Sequence, residues 1–288
     1  MREEVVSAGQ ASLRLCCYDC FPGLRDLVRP GELDVVVTSP PYNIGVQYGS
    51  YDDKQPREQY LAWLDEWASL IASRLAEQGS LFLNLAGKPS DPWVPYEVAG
   101  VVRRHLVLQN VIHWIKSLTI ERADVGRDNE LTQDLTVGHF KPIPGPRFVN
   151  DCHEFIFHFT RTGHTPLERL ALGVPYEDKS NVRRWKQAKD DRRCRGNCWF
   201  IPYKTIQSRD RERPHPATFP PKLAEMCLKL HGVERVRLAC DPFLGLGSSA
   251  LACADLRLPF VGFELDEQYF TAAVARLRDH LGLLSSPA

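Results

Sequence analysis

The spacing of hydrophobic residues in the first third of the chain predicts strands and a helix in alternation. Runs of Val and Leu without strict alternation, at 12–17 and 34–38, are typical of strands buried on both faces of a parallel sheet. The spacing then becomes helical and predicts a helix with a C-terminal cap at Gly79, in which Trp63 is interpreted as a core residue. The strand "LFLNL" follows directly. The other hydrophobic positions of this helix are Leu61, Leu64, Trp67, Leu70, Ile71 and Leu75.

The C-terminal third alternates regularly between helix and strand patterns. A helix with Pro221 near its first turn ends at Gly232, and two further strand–helix pairs follow, with helices starting near Ser248 and Asp266. Repeated strand–helix units predict an α/β fold, a Rossmann-like and mostly parallel sheet with helices on both faces.

Two stretches depart from this rhythm. Residues 117–150 are polar and irregular, and a loop of this length is expected to fold over a ligand or an open pocket. Residues 161–213 are rich in Lys and Arg with interleaved aromatic residues. We therefore expect 1–160 and 214–288 to be two halves of one domain, and 161–213 to be an inserted recognition region or linker.

Composition restricts the classes of protein that fit. The chain of 288 residues is 43% hydrophobic and 25% charged, with zero formal net charge, so a nucleic-acid site would be a local basic patch. No run of about 18 apolar residues exists, and the first residues lack an apolar signal core, so no membrane contact and a cytoplasmic location are expected. The nine cysteines do not form paired C-x-x-C knuckles, and we predict no metal site.

A glycine-containing loop follows a predicted strand in "ACDPFLGLGSSA". Gly245 and Gly247 would let the backbone approach a ligand closely, and Glu264 ends the next predicted strand, where a carboxylate can accept two ribose hydroxyl groups. The loop lacks the third glycine of G-x-G-x-x-G, which favours a nucleoside without a pyrophosphate. A plain structural turn is the alternative interpretation.

The stretch "TSPPY" ends a predicted strand in a stiff, polar turn. Two prolines fix φ and remove two N–H donors, so the turn presents carbonyl oxygens and the Ser39 hydroxyl. Acceptors that hold both N–H bonds of an exocyclic amine favour a pyramidal nitrogen whose lone pair can attack a methyl donor. The ring of Tyr42 would stack on the nucleobase that carries this amine. The alternative is a rigid turn that only ends a core strand.

The two motifs together, "TSPPY" first and "DPFLGLG" last, resemble the β class of amino-group DNA methyltransferases that use S-adenosylmethionine. The resemblance implies that Ser39, Pro40, Pro41 and Tyr42 hold the target base in duplex DNA, and that 161–213 contains the target-recognition region. It also implies a cofactor pocket made by Asp19, Thr38, His215, Pro216, Ala217, Phe219, Asp241, Phe243, Gly245, Gly247, Ser248, Glu264 and Leu265.

The residue at the first motif position bears on which base is methylated. In the family that the chain resembles, Ser at this position goes mostly with cytosine N4 and Asp mostly with adenine N6, so Ser39 favours cytosine. Adenine-N6 methylation, methylation of RNA or protein amines, and a catalytically silent DNA-binding protein are the alternatives. A restriction–modification role is expected, and a homodimer and a cognate restriction endonuclease stay open as partners.

The basic part of the inserted region is the candidate DNA-contacting surface. Arg and Lys neutralise phosphates, and Arg paired with guanine is the commonest specific base contact. A solvated charged surface is the alternative. The candidate residues are Arg183, Arg184, Lys186, Arg192, Arg193 and Arg195.

Overall fold

The computed structural model of the chain describes residues 1–46, 50–125, 131–138, 145–184, 191–202 and 218–283. In this part of the chain a nine-stranded sheet forms the centre, and two short strands form a separate hairpin. The strands are β1 (Arg2–Ala8), β2 (Ala11–Cys17), β3 (Leu33–Thr38), β4 (Leu75–Leu85), β5 (Val107–Ile115), β6 (Leu118–Ile120), β7 (Leu135–Val137), β8 (His153–Thr160), β9 (Cys198–Phe200), β10 (Ala239–Asp241) and β11 (Phe260–Glu264).

The order of the large sheet is β1-β2-β11-β10-β3-β4-β8-β5-β9. The five strands from β2 to β4 in this order are mutually parallel, whereas β8 runs antiparallel between β4 and β5, and β1 is antiparallel at the edge. This confirms the predicted α/β class with a mostly parallel sheet. It also brings β3, from the early part of the chain, beside β10, from the late part.

Helices cover both faces of the sheet. The helices are α1 (Cys20–Leu27), α2 (Arg57–Arg74), α3 (Val94–Val102), α4 (Ser180–Arg184), α5 (Pro221–His231), α6 (Ser248–Leu256) and α7 (Glu267–His280). Residues of α1, α2 and α3 pack in one hydrophobic core, and residues of α5, α6 and α7 pack in the other. In the described ranges, none of the helices has the length and apolar character needed to cross a membrane.

The prediction that the second helix extends to Gly79 was wrong. The helix ends at Arg74, and β4 begins with the next residue. A Cβ atom at Gly79 would lie 2.6 Å from the Leu75 Cγ and 2.9 Å from the Leu33 carbonyl oxygen. Glycine is therefore required here because two chain segments approach closely, and not because a helix is capped.

The stretch 117–150 contains more regular structure than its polar pattern indicates. β6 and β7 pair antiparallel, and the 3-10 helix Arg122–Val125 lies between them in the chain. Residues 126–130 and 139–144 lie outside the described part. The inserted region 161–213 also contributes to the large sheet, since β9 pairs with β5 at its edge.

Candidate active site

A cavity of about 270 Å³ lies at the carboxyl ends of β2, β3, β10 and β11. Its wall includes Ser39 and Tyr42 from the diproline turn and Gly245 from the glycine loop. The two motifs therefore face one cleft. Of the predicted site residues, the wall contains Asp19, Ser39, Pro40, Pro41, Tyr42, Phe219, Phe243, Gly245, Ser248, Glu264 and Leu265.

The glycine loop is held by the carboxylate of Glu264. Its Oε2 accepts from the backbone N–H of Gly245 at 2.8 Å, and its Oε1 accepts from the N–H of Asp266 at 2.9 Å. Burial raises the pKa of Glu264 to about 7, and these two N–H groups partly oppose that rise. A carboxylate oxygen has two lone pairs, so each can accept one further hydrogen bond, such as one from a ribose hydroxyl.

Thr38 and Asp241, which the family resemblance assigns to the cofactor pocket, do not line the cavity. They are 0% and 1% exposed. The Thr38 hydroxyl donates to Asp241 Oδ1 at 2.7 Å, and the Ser249 hydroxyl donates to Oδ2 at 2.5 Å. The pKa of Asp241 is raised to about 6 by burial. These residues lie behind the wall, where they join β3 to β10 and hold the start of the glycine loop. Gly247 is likewise absent from the wall and precedes α6 with a φ of +73°.

The apolar wall is largely aromatic. Asp19 caps α1 and accepts from the N–H of Phe21 at 2.7 Å, which places both residues at the cavity. The Trp63 ring lies 6.0 Å from the Phe21 ring and 5.7 Å from the Phe243 ring. Trp63, interpreted from the sequence as a core residue, is partly buried against the hydrophobic core and also lines the cavity, whereas Trp67 one turn later is fully buried. Helical spacing places the Trp63 and Trp67 rings on one face of α2. It does not show that this face extends past the edge of the sheet to the cavity.

The diproline turn is fixed by hydroxyl groups. The Tyr60 hydroxyl donates to the Pro41 carbonyl at 2.7 Å, and Ser39 Oγ and Tyr42 Oη are 2.7 Å apart. The Pro40 carbonyl accepts no hydrogen bond from any described residue. Tyr42 lines the cavity but is only 9% exposed, so its hydroxyl points into the protein.

Three polar residues behind Tyr42 escaped the sequence analysis. The Asn84 side-chain amide donates to Tyr42 Oη at 2.9 Å and to Glu154 Oε2 at 2.7 Å. Lys116 contacts Glu154 Oε1 at 3.1 Å. These residues end β4, begin β8 and follow β5, and the spacing of hydrophobic residues gives no sign that they meet. The only available signal was an Asn inside the otherwise apolar strand "LFLNL".

The segment after the diproline turn is held by a buried carboxylate. Asp53, which is 2% exposed, accepts from the backbone N–H groups of residues 43, 44, 45 and 46 at 2.7–3.1 Å. The Ser50 hydroxyl donates to Asp266 Oδ2 at 2.7 Å, which links this segment to the start of α7. Residues 47–49 lie outside the described part.

Several predicted residues are not at the cavity or cannot be placed. His215, Pro216, Ala217 and Lys186, and the side chain of Arg183, lie outside the described residues. The exposed Arg184, Arg192, Arg193 and Arg195 are described, and none of them lines the cavity. Arg192 and Arg195 donate to carbonyl groups of the 3-10 helix Arg169–Leu172, before the edge strand β9. Within the described ranges, no group of three or more His, Cys, Asp or Glu could hold a metal ion.

Comparison with known proteins identifies the family. The family model described as DNA methylase, of the N6 and N4 type, matches residues 33–275, which include both motifs and most of the sheet. The chain belongs to this family. The resemblance to amino-group DNA methyltransferases is thereby confirmed.

Individual relatives are similar over most of their length. The type II methyltransferase M.HpaI of Haemophilus parainfluenzae is 23% identical over 265 residues, 92% of this chain and 74% of that protein. M.ScaI of Streptomyces caespitosus is 26% identical over 262 residues, 85% of this chain and 74% of that protein.

Solved structures show the same fold. The PvuII DNA methyltransferase, which is cytosine-N4-specific, superposes with a TM-score of 0.64 at 15% identity and covers 96% of this chain and 93% of its own. A putative DNA modification methylase of Thermus thermophilus, solved in complex with S-adenosyl-L-methionine, has a TM-score of 0.58 at 20% identity and covers 93% and 94%.

Proposed function

We propose that this DNA methylase transfers a methyl group from S-adenosylmethionine to the N4 amine of cytosine at specific sites in duplex DNA, as the modifying partner in a restriction–modification system. The observation that carries the proposal is the single cavity shared by the glycine loop and the diproline turn. A methyl donor and a target amine bound at these two motifs would meet inside one cleft.

The residues at one end of the cavity fit the cofactor. Glu264 offers acceptors for two ribose hydroxyls, and the Asp19 Oδ2, which accepts no hydrogen bond from the described residues, offers one for an adenine amine. Phe21 and Phe243 provide an apolar wall for the adenine ring. When bound, S-adenosylmethionine supplies an electrophilic methyl group on a positively charged sulfur.

The residues at the other end fit an exocyclic amine. The Ser39 hydroxyl and the Pro40 carbonyl can each accept one N–H of the amine, which favours a pyramidal nitrogen with an available lone pair. The base must leave the duplex to reach this turn, and the Tyr42 ring in the wall can stack on it. The chain therefore binds and orients the nucleophile.

The identity of the target base rests on Ser39 and is supported by the cytosine-N4 specificity of the PvuII neighbour. DNA from cells that express the chain should be digested to nucleosides and analysed by mass spectrometry. We expect N4-methylcytosine above the level in cells that express an inactive chain. N6-methyladenine in its place would overturn the choice of base, and the proposal of a DNA methyltransferase activity would stand.

We further propose that the exposed arginines before β9 contact DNA phosphates. Replacing Arg192, Arg193 and Arg195 by Gln should weaken DNA binding and reduce the slope of log affinity against log salt, by about 0.9 for each lost phosphate contact. Binding titrations at several salt concentrations measure this slope.

The matched control replaces three exposed arginines elsewhere, Arg25, Arg29 and Arg103. This variant has the same change in net charge, so it isolates the effect of position. Equal salt slopes in the two triple variants would show that the arginines before β9 have no special role.

A further inference from the structure

The Ser39 hydroxyl is the first member of a chain of hydrogen bonds that leads away from the cavity. Ser39 Oγ contacts Tyr42 Oη at 2.7 Å, and Tyr42 Oη lies 3.4 Å from Glu154 Oε2 and 3.2 Å from the backbone carbonyl of Asn84. The Asn84 amide donates to both Tyr42 and Glu154, and Lys116 holds the other oxygen of Glu154. The function of Ser39 as an acceptor depends on how protons are arranged along this chain.

The carboxylate of Glu154 fixes the orientation of the Asn84 amide. A carboxylate accepts hydrogen bonds and cannot donate them, so the group 2.7 Å from Glu154 Oε2 must be the amide nitrogen of Asn84. The same nitrogen donates its other proton to Tyr42 Oη at 2.9 Å. Among the described residues the Asn84 Oδ1 has no partner, which is the cost of this orientation.

The position of the single Tyr42 proton then decides the direction of the bond to Ser39. If that proton points to Ser39, the serine must donate its own proton elsewhere. Tyr42 then competes with the N–H groups of the target amine for the lone pairs of Ser39 Oγ. If it points to Glu154 Oε2 and the Asn84 carbonyl, Ser39 donates to Tyr42 and keeps its lone pairs for the cavity. A negative carboxylate favours the second arrangement, because hydrogen bonds to ionised acceptors are stronger than those to neutral ones.

We propose that Glu154 is a positioning residue that keeps Ser39 in the acceptor state required by the target amine. This inference rests on the proposed function, since it supposes that an amine binds at Ser39. Glu154 is only 14% exposed and is paired with Lys116, which places its negative charge beside Tyr42 and shields it from water. The negative charge of Glu154, more than its shape, is what the reaction uses.

Two variants, one that removes the charge and one that moves it to position 84, test this proposal directly. Glu154→Gln removes the charge and keeps the shape, and it should lower the single-turnover rate of methyl transfer about 10- to 100-fold. The Michaelis constant for DNA and the calorimetric affinity for S-adenosylmethionine should change less than about twofold, because neither contact involves Glu154. The double variant Asn84→Asp with Glu154→Gln exchanges carboxylate and amide across the same 2.7 Å contact, so Asp at position 84 accepts from Tyr42.

We expect the double variant to recover most of the rate that Glu154→Gln loses. Glu225→Gln, which removes a partly buried carboxylate paired with Lys222 and Lys229 on α5, is the matched control and should keep the wild-type rate. Thermal unfolding of each variant shows whether the fold is retained. A Glu154→Gln protein as fast as wild type, or a folded double variant no faster than Glu154→Gln alone, overturns the inference. A wild-type protein that transfers no methyl group to DNA overturns the proposed function as well.

Discussion

The two ends of the cavity are built in different ways. At the cofactor end, Glu264 holds backbone N–H groups of residues 2 and 19 positions away in the chain. At the diproline turn, Tyr42 contacts side chains 42 and 112 positions away. The cofactor end is a local strand–loop–helix unit, whereas the target end depends on side chains brought together by the sheet.

We expect this difference to separate binding from catalysis. Backbone groups that are fixed by one carboxylate provide a rigid surface for a nucleoside. Hydroxyl groups whose protons can point in several directions need additional partners to present a defined acceptor. Changes at the cofactor end should therefore act mainly on affinity, and changes at the target end mainly on rate.

The largest expected effect is from Ser39→Ala. Removing one of the two acceptors for the target amine should lower the rate of methyl transfer by about 100- to 1000-fold, because a hydrogen bond used in the transition state is lost. Rapid-quench transfer of labelled methyl to DNA measures the rate. Calorimetric affinity for S-adenosylmethionine should stay within about twofold, and a rate unchanged from wild type would refute the role of Ser39.

The next largest effect is expected from Glu264→Gln. Both carboxylate oxygens accept a backbone N–H. The amide of Gln would place its own N–H₂ group against one of these two N–H donors. The glycine loop should therefore shift, and the contacts with the ribose should be lost. We expect the dissociation constant of S-adenosylmethionine to rise about 10- to 100-fold. The rate at saturating cofactor should fall much less.

The pH dependence of cofactor binding sharpens this expectation. Because burial raises the pKa of Glu264 to about 7, the carboxylate is partly protonated at neutral pH and must lose its proton to accept two hydroxyls. Wild-type affinity should fall as the pH drops from 8 to 6, by up to about tenfold per unit below the pKa. The Glu264→Gln protein should bind equally at both pH values, and an equally pH-dependent variant would assign the titration to another group.

The same contrast explains what could be predicted from the sequence. The glycine loop and Glu264 lie in one short stretch, so the position of the carboxylate at the end of β11 follows from strand–loop–helix spacing. Asn84 and Glu154 meet Tyr42 because β8 runs antiparallel beside β4, and nothing in the hydrophobic pattern specifies that direction. Whether Thr38 and Asp241 face the cavity could not be predicted for a related reason: a motif shows that residues are near a ligand, without showing whether they face it.

A third and smaller effect is expected from Thr38→Val. Loss of the 2.7 Å bond to Asp241 leaves a buried carboxylate oxygen with one fewer donor, which should cost about 1–3 kcal/mol of stability. The melting temperature should fall by about 5 °C, as measured by calorimetry.

The stability loss of Thr38→Val should depend on pH, because Asp241 titrates. Its pKa in the fold, about 6, lies above the ordinary value, so the stability linked to its proton is present at low pH and is lost as the pH rises through 6. Thr38 stabilises the ionised form, so the deficit of Thr38→Val should be larger at pH 8 than at pH 5. A deficit independent of pH would show that the hydroxyl acts by packing alone.

The smallest effect is expected where the two ends of the cavity touch, at the bond between Ser50 and Asp266. Asp266 caps α7 with its other oxygen, through the N–H groups of Gln268 and Tyr269, so Ser50→Ala leaves that cap in place. We expect dissociation of S-adenosylmethionine to become faster by about two- to fivefold, as one neutral-to-charged hydrogen bond no longer joins the segment after the diproline turn to the cofactor end. Stopped-flow fluorescence of the tryptophan in the wall, Trp63, can follow release. If release is unchanged while Ser39→Ala and Glu264→Gln behave as expected, the bond between Ser50 and Asp266 serves the fold and not the retention of the cofactor.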